Sequence, residues 1–335
     1  MRVLIYGAGL VGGWVGAHLA AAGWPVMMLG RASRLQAVRE HGLTLTDLSG
    51  GRRHVQAAAF DLGERLSDLD LERQPPALTL LCVKAGATAE AAAELAHALP
   101  AGSPVLILQN GVGQADVARA AAPALLWLPG MVAYNISELG IAHLHRGTAG
   151  TLHAPQHPAL VTWVERFNDA GLPLQQHADM QPVLWAKLLL NLNNPVNALS
   201  GLPLRAELLD RDLRHCFAAL VEEALALMAG AGITPAQVTP MPMRRLPALL
   251  RLPTPVFRLL AARLLRIDPH ARSSMADDLE RGRRTEIDLL CGEVIRLAQR
   301  QGSSAPFNTR ISALISSARA PQPHSGDELR RALGL

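Results

Sequence analysis

Hydrophobic positions follow two regimes along the chain. Through residue 178, short apolar runs bounded by glycine or proline alternate with helical stretches, as in a parallel sheet with helices on its faces. Arg2–Tyr6, Val26–Leu29, Leu78–Val83 and Pro104–Leu108 read as buried strands. Leu10–Ala22, Thr88–Ala98 and Ala159–Ala170 read as helices. Gly42–Phe60 alternates weakly about Ser49-Gly50-Gly51 and predicts a hairpin at the sheet edge; Leu66–Arg73, ahead of Pro75-Pro76, predicts a loop. Met131–Ile136, Ile141–Leu144 and Gly150–His153 read as antiparallel strands that finish the sheet. From residue 179 to 335 the pattern is helical. It comprises Asp179–Leu190 running into an asparagine-rich segment, one helix over Leu204–Ala229, a proline-punctuated connection from Thr234 to Pro255, and a long amphipathic helix ending at Gln301. The class predicted is α/β: an N-terminal Rossmann-type doubly wound sheet (1–178) plus an all-α C-terminal domain (179–335).

Composition narrows the function. The chain has 335 residues, enough for two domains with a core each. Mean hydropathy is +0.16 and no apolar run approaches the length of a membrane span, so no transmembrane helix is expected. The N-terminus enters a strand at once without a secretory layout, and Cys82, Cys216 and Cys291 show no close pairing; both suit a reducing cytoplasm. A net charge of +4 suits anionic small molecules. Arg244, Arg245, Arg251, Arg258, Arg263 and Arg266 make one region basic, but aromatics are not interleaved there, so nucleic acid is not an expected partner. His143 and His145 have no third ligand nearby; they read as surface residues, and no metal site is expected.

The first strand runs directly into Gly7-Ala8-Gly9-Leu10-Val11-Gly12 and a helix rich in alanine and glycine. In that context the glycines have distinct tasks. Gly7 permits the tight turn, Gly9 lets a pyrophosphate approach the backbone, and Gly12 lets the helix pack on the strand, an interface that Gly13 and Gly16 extend. The helix N-terminus, with the N–H groups around Leu10 and Val11, offers donors and a positive dipole to the phosphates. After the second strand an NAD site would carry Asp or Glu for the ribose 2′-hydroxyl, yet the chain reads Gly30-Arg31-Ala32-Ser33-Arg34. Arg31, with Ser33 or Arg34, can clamp a 2′-phosphate, which points to NADPH; a solvated arginine at a helix start is the plain alternative. Lys84 and Gln109-Asn110-Gly111-Val112-Gly113 follow later strands at the edge where such sheets bind ligands. Asn110 can bond a nicotinamide ribose or a substrate oxygen, or simply form a turn.

The chemistry concentrates in Trp185-Ala186-Lys187 and the residues up to Gly201, where leucines surround an amine and several amides. At about 100° per residue, Lys187, Asn191 and Asn194 lie within about 60° of one another on one helix face. Pro195 cannot donate to the Asn191 carbonyl, so a kink is expected there. Of 32 basic residues only Lys84 and Lys187 are lysine. A lysine differs from arginine in being able to lose its proton where its site is desolvated. Further on, Ser274 with Asp277 reads as a helix cap, and Glu286 sits among arginines beside an apolar helix. In one straight helix Ser274 and Glu286 would stand about 18 Å apart, so both reach one small substrate only if the chain bends near Gly282.

Taken together, Gly7–Gly12, Lys84-Ala85, Gln109–Gly113, Trp185–Leu188 with Asn191 and Asn194-Pro195, Ser273-Ser274-Met275 and Thr285-Glu286-Ile287-Asp288 resemble the ketopantoate reductase (2-dehydropantoate 2-reductase) family over nearly the whole chain. The resemblance implies a Rossmann domain, a helical domain and a site in the cleft between them. It also implies Lys187 as general acid, with Asn110, Asn191, Ser274 and Glu286 around the substrate and Lys84 near cofactor and substrate. In the family pattern the second helix asparagine stands four residues after the first; here Asn194 is three after Asn191, so Asn193 and Asn197 stay open as alternatives. The expected reaction is hydride transfer from NADPH to the ketone of a small 2-keto acid, with a homodimer as an admissible assembly. Reduction of another 2-keto or 3-keto acid and a non-catalytic NADP-sensing role are the competing readings.

Overall fold

Alternation within β1 (Val3–Tyr6) sends Val3 and Ile5 to one face of a sheet and Leu4 and Tyr6 to the other, and all are buried. The computed structural model of the chain describes every residue except 263, 264, 266, 270 and 319–322. It divides into two units, Met1–Met180 and Gln181–Leu335.

In the first unit β1 leads through α1 (Leu10–Ala21) to β2 (Val26–Leu29) and α2 (Ala32–His41). A hairpin follows, β3 (Leu43–Asp47) with β4 (Arg52–Val55), and then β5 (Phe60–Gly63), β6 (Leu78–Leu81), α3 (Thr88–Ala98), β7 (Pro104–Ile107), α4 (Gln114–Ala121) and β8 (Leu126–Pro129). The main sheet is parallel, in the order β5-β2-β1-β6-β7-β8. Strands step outward from β1 through β2 to β5, then restart on its other side at β6. The doubly wound expectation holds, and the switch of direction lies between β1 and β6. The rest of the unit comprises β9 (Met131–Val132), β10 (Ile136–Gly140), β11 (His143–Arg146), β12 (Leu152–Pro155), α5 (Val161–Asp169) and β13 (Leu174–His177).

Three sequence expectations change here. The 42–60 hairpin forms, but it does not edge the main sheet: β3 pairs in parallel with β11 in a separate sheet ordered β10-β11-β3-β4. The strands after Gly130 do not finish the main sheet either; they enter that second sheet or a third ordered β13-β12-β9, in which β12 and β13 are parallel. Of the two histidines read as surface residues, His143 is half-buried and His145 is not at the surface. Both rings contact the Thr46 hydroxyl at 2.9 Å, and His145 is buried.

Helix α1 explains its own composition. It lies between two sheets, so almost no side is polar: a Cβ on Gly16 would meet Ile5 and Met28 of the main sheet, and one on Gly13 would meet Leu144 of the second. Only glycine and alanine let both sheets approach that closely.

Helices are the only regular elements among the described residues of the second unit. It runs α6 (Gln181–Asn191), α7 (Asn193–Ser200), α8 (Leu204–Leu209), α9 (Arg211–Gly230), α10 (Leu246–Leu250), α11 (Thr254–Leu260), α12 (Ser274–Glu280), α13 (Ile287–Arg300), α14 (Pro306–Ser317) and α15 (Gly326–Leu333). Leu213, Phe217, Leu220, Val221, Ala224 and Met228 make α9 the buried axis on which α7, α8, α10, α13, α14 and α15 pack. The single helix expected over 204–229 is broken at Asp210, whose carboxylate accepts from the Asp212 and Leu213 N–H groups and starts α9. The proline-punctuated connection is irregular with short helices, as expected. Arg214, fully buried, holds it by donating to the carbonyls of Leu208, Leu250 and Leu252. Of the basic residues singled out there, Arg263 and Arg266 lie outside the described residues. Among the described residues no helix is long and apolar enough to cross a membrane.

A Cβ on Gly12 would stand 2.1 Å from the Gly7 carbonyl oxygen and 2.8 Å from Ile5 Cγ2. Gly12→Ala should therefore destabilise the first unit by about 1–3 kcal/mol, the range of overpacked cores. Thermal denaturation checks this, and an unchanged Tm would contradict the packing described.

Candidate active site

Parallel pairing brings the loops of the cofactor motif to one edge. Tyr6 is in register with Leu29 on one side and Leu81 on the other, so the chain leaves β1, β2 and β6 at the same level. Gly7 turns there with φ +113°, and a Cβ on it would lie 2.7 Å from Val83 N, so the glycine turn rests directly on the tail of β6. Gly9 is the N-cap of α1 and has an open flank: a Cβ there meets nothing within 4 Å. The first turn of α1 carries no acidic side chain. An uncapped, positively poled helix start of this kind fits a pyrophosphate at the N–H groups of Leu10, Val11 and Gly12, the Gly9 N–H being taken by the Gly7 carbonyl at 2.8 Å.

Arg31 is exposed at the N-cap of α2, with Ser33 exposed beside it. Arg34 is otherwise engaged: its Nε donates to the Ala8 carbonyl at 3.2 Å and its guanidinium pairs with Glu138. Of the basic candidates for a 2′-phosphate, Arg31 is the one left to solvent. Lys84 is exposed just after β6, and Asn110 is half-buried after β7, ahead of Gly111 at φ +101°. Gln109, which carries no separate task in the sequence reading, ties these two loops together. Its amide nitrogen donates to the Val83 carbonyl at 2.8 Å, and its amide oxygen lies 3.1 Å from the Thr88 hydroxyl.

The second group of candidates sits on α6 and α7. The helix breaks at Leu192, which places Pro195 in the first turn of α7, where its missing donor is harmless. Leu188, Leu189, Leu192 and Val196 are buried, whereas Lys187 and Asn194 keep part of their surface accessible and Asn191 is 8% exposed. Burial lowers the Lys187 ammonium to a pKa of about 8, and no acidic side chain pairs with it among the described residues. The amides sort themselves. Asn193 and Asn197 donate to the buried carboxyl of Glu207 at 2.9 and 3.3 Å, so these two side chains serve the interior of the second unit.

The cap of α12 is a correction. Ser273, not Ser274, caps the helix by accepting from the Ala276 N–H at 3.1 Å, so the exposed Ser274 hydroxyl is not consumed by capping. Ser273 Oγ also donates to the Asn194 carbonyl at 3.2 Å, which brings the start of α12 against α7. Beyond α12 the chain turns at Gly282, φ +62°, and half-buried Glu286 stands at the N-cap of α13. The straight helix that would separate Ser274 from Glu286 does not form.

Comparison with known proteins settles the lineage. The family model described as ketopantoate reductase PanE/ApbA matches residues 3–159, and the one for the C-terminal region of the same family matches 179–319. The chain belongs to the ketopantoate reductase PanE/ApbA family. A 2-dehydropantoate 2-reductase of Halobacterium salinarum is 27% identical over 94% of the chain and 98% of its own length. One of Mesorhizobium japonicum is likewise 27% identical, over 94% and 97%. The crystal structure of a PanE/ApbA family ketopantoate reductase from Ralstonia eutropha JMP134 superposes with a TM-score of 0.78 at 28% identity, covering 98% of this chain and all of that one. The Rossmann-type sheet and helical second unit are thus the family fold.

Gly9 and Gly12 make opposite demands in this family member. Gly9 has φ −78°, which alanine adopts freely, and nothing of the protein fills its flank. Gly9→Ala should leave Tm unchanged but raise the Kd for a dinucleotide by about tenfold, the equivalent of about 1.4 kcal/mol. Calorimetric titration reads the affinity; unaltered binding would mean that the phosphates lie elsewhere.

Proposed function

We propose that this oxidoreductase reduces 2-dehydropantoate (ketopantoate) to pantoate with NADPH, the step of pantothenate biosynthesis for which its family is named. The observation that carries the reading is Lys187: a solitary amine on a leucine-rich helix, still protonated at neutral pH, but lowered from 10.5 to about 8 so that it can give that proton up. A binding protein that only sensed the cofactor would gain nothing from such a group.

Unit 1 residues fit the dinucleotide. Gly7, Gly9 and Gly12, with the backbone of Leu10 and Val11, would hold the pyrophosphate; Arg31 would hold the 2′-phosphate; Lys84 and Asn110 would flank the nicotinamide end. When bound, the cofactor supplies a hydride to the ketone carbon. Lys187 Nζ donates a proton to the ketone oxygen as charge develops there, so ketone, hydride and proton together give the alcohol. Lys187 is left as a neutral amine and takes its next proton from solvent. Glu286 accepts a hydrogen bond from the new hydroxyl or from the ammonium. Asn110, Asn191, Asn194 and Ser274 hold the carboxylate and hydroxyl of the substrate with neutral groups, which leaves Lys187 as the charge that decides orientation.

Oxidation of NADPH with ketopantoate, run beside branched and unbranched 2-keto and 3-keto acids, tests the substrate. A strong preference for another acid would replace ketopantoate, and tight NADPH binding without turnover of any acid would leave a sensor. Lys187→Ala should lower kcat by about 10²- to 10⁴-fold with NADPH affinity retained. Because the protonated amine is the donor, wild-type kcat/KM should fall as pH rises through about 8. Full activity in the variant removes Lys187 from the mechanism. Arg31→Ala should weaken NADPH by about tenfold or more while NADH changes little. Equal losses for the two cofactors would overturn the 2′-phosphate assignment.

A further inference from the structure

Glu207 on α8 is fully buried, and among the described residues no cation pairs with it. Its Oε2 accepts from Asn193 Nδ2 at 2.9 Å and from Asn197 Nδ2 at 3.3 Å. Two buried atoms are then left over, Glu207 Oε1 and Asn193 Oδ1, and neither has a hydrogen-bond partner. If Glu207 were a carboxylate, both would be acceptors with no donor, a combination that buried polar groups rarely tolerate. One proton on Oε1 would resolve both at once, with Oε1 as the donor and Asn193 Oδ1, on the amide already bonded to Oε2, as its acceptor. An acid and a primary amide then join through two antiparallel hydrogen bonds, of which Asn193 Nδ2 to Oε2 is already in place.

The consequences reach the asparagine face. Asn197 Nδ2 also donates to the Leu202 carbonyl at 2.9 Å, while Asn197 Oδ1 accepts from the Ser273 N–H at 2.9 Å. Ser273 in turn caps α12 and donates to the Asn194 carbonyl. A continuous chain of bonds therefore runs from Glu207 to the backbone of Asn194 and to the residue before Ser274. We propose that Glu207 is a positioning residue that works as a neutral carboxylic acid, closing an acid–amide pair with Asn193 and, through Asn197 and Ser273, fixing the spacing of Asn194 and Ser274. The link to substrate rests on the function proposed above, in which those two side chains bind the keto acid.

Electrostatics agree with this geometry. Burial pushes the Glu207 carboxyl up to about 8, outweighing the hydrogen bonds from Asn193 and Asn197 of α7, which lower it, while the Asp210 carboxyl at the start of α9 raises it further. A folded-state pKa raised from 4.5 to about 8 gives stability that is complete below about 4.5 and lost as pH rises through about 8.

Glutamine copies the neutral acid, with one acceptor oxygen and one donor, but cannot ionise. Glu207→Gln should therefore keep kcat/KM for ketopantoate within roughly twofold of wild type. Its Tm minus that of wild type should increase between about pH 5 and about pH 9, as only the wild type loses its proton. Glu207→Leu should raise KM for ketopantoate on the order of tenfold, with NADPH affinity and the pH dependence of kcat unchanged. A Gln variant as impaired as the Leu variant, or a Tm difference flat with pH, would show a charged carboxylate and overturn the proposal. The Tm comparison needs no substrate and judges the neutral acid even if the Glu207→Leu variant fails to fold. A wild type inactive on ketopantoate would end the function proposed above, and the link to substrate with it.

Discussion

An ammonium group among leucines is less stable than the same group in water, and α6 accepts that penalty at Lys187. Much of the second unit can be understood from how the penalty is kept bearable. The helix remains apolar on its buried side, so it anchors firmly through Val183, Leu184, Trp185, Leu188 and Leu189. The amine stays on the one stripe that retains accessible surface. The break at Leu192 starts a new helix whose first turn takes in Asn193, Asn194 and Pro195. Polar groups that the leucine-rich side could not satisfy are thus displaced to a helix terminus, where unpaired donors and acceptors are normal and can be shared.

The first unit obeys a different constraint. Its sheet is parallel, so every strand ends at the same edge and the following loops converge without specific guidance. What the sequence must add is closeness, and it adds it with glycine: Gly7 against Val83, Gly12 against the Gly7 carbonyl, and Gly13 against Leu144. Gly9 differs in having no protein atom to approach. The same residue type therefore serves packing at three positions and open space at a fourth, and only the folded chain separates these uses.

Local periodicity and motif spacing revealed four of the six main-sheet strands, missing β5 and β8, together with the glycine turn and the lone amine, because each is encoded within a few adjacent residues. Features that depend on distant pairing were not legible. The second sheet forms by parallel pairing of β3 with β11, from segments about a hundred residues apart, and nothing in either strand names its partner. The burial of His145 follows from that pairing and was lost with it. Ser273 and Ser274 are equivalent as letters; the choice of Ser273 as cap depends on Asn197 and Asn194 reaching it from another helix. Glu207 and Arg214 fall in the stretch read as one helix, where nothing in the neighbouring sequence marks them as buried. Both are fully buried because the helix breaks at Asp210, so that a short helix and the long one after it each turn one of them inward.

Lys187 and Glu207 show one physical effect with opposite results. Burial disfavours charge, so it lowers the amine and raises the acid, and both arrive at about 8. Near neutral pH the two groups nevertheless differ in charge, since an amine below its pKa is a cation and an acid below its pKa is neutral. The asparagine-rich segment therefore carries a single positive charge amid amides, and the acid that Asn193 and Asn197 hold is neutral. A neutral acid at the back of α7 is thus more than a packing detail. It lets a carboxyl group brace α7 through Asn193 and Asn197 without adding a negative charge there.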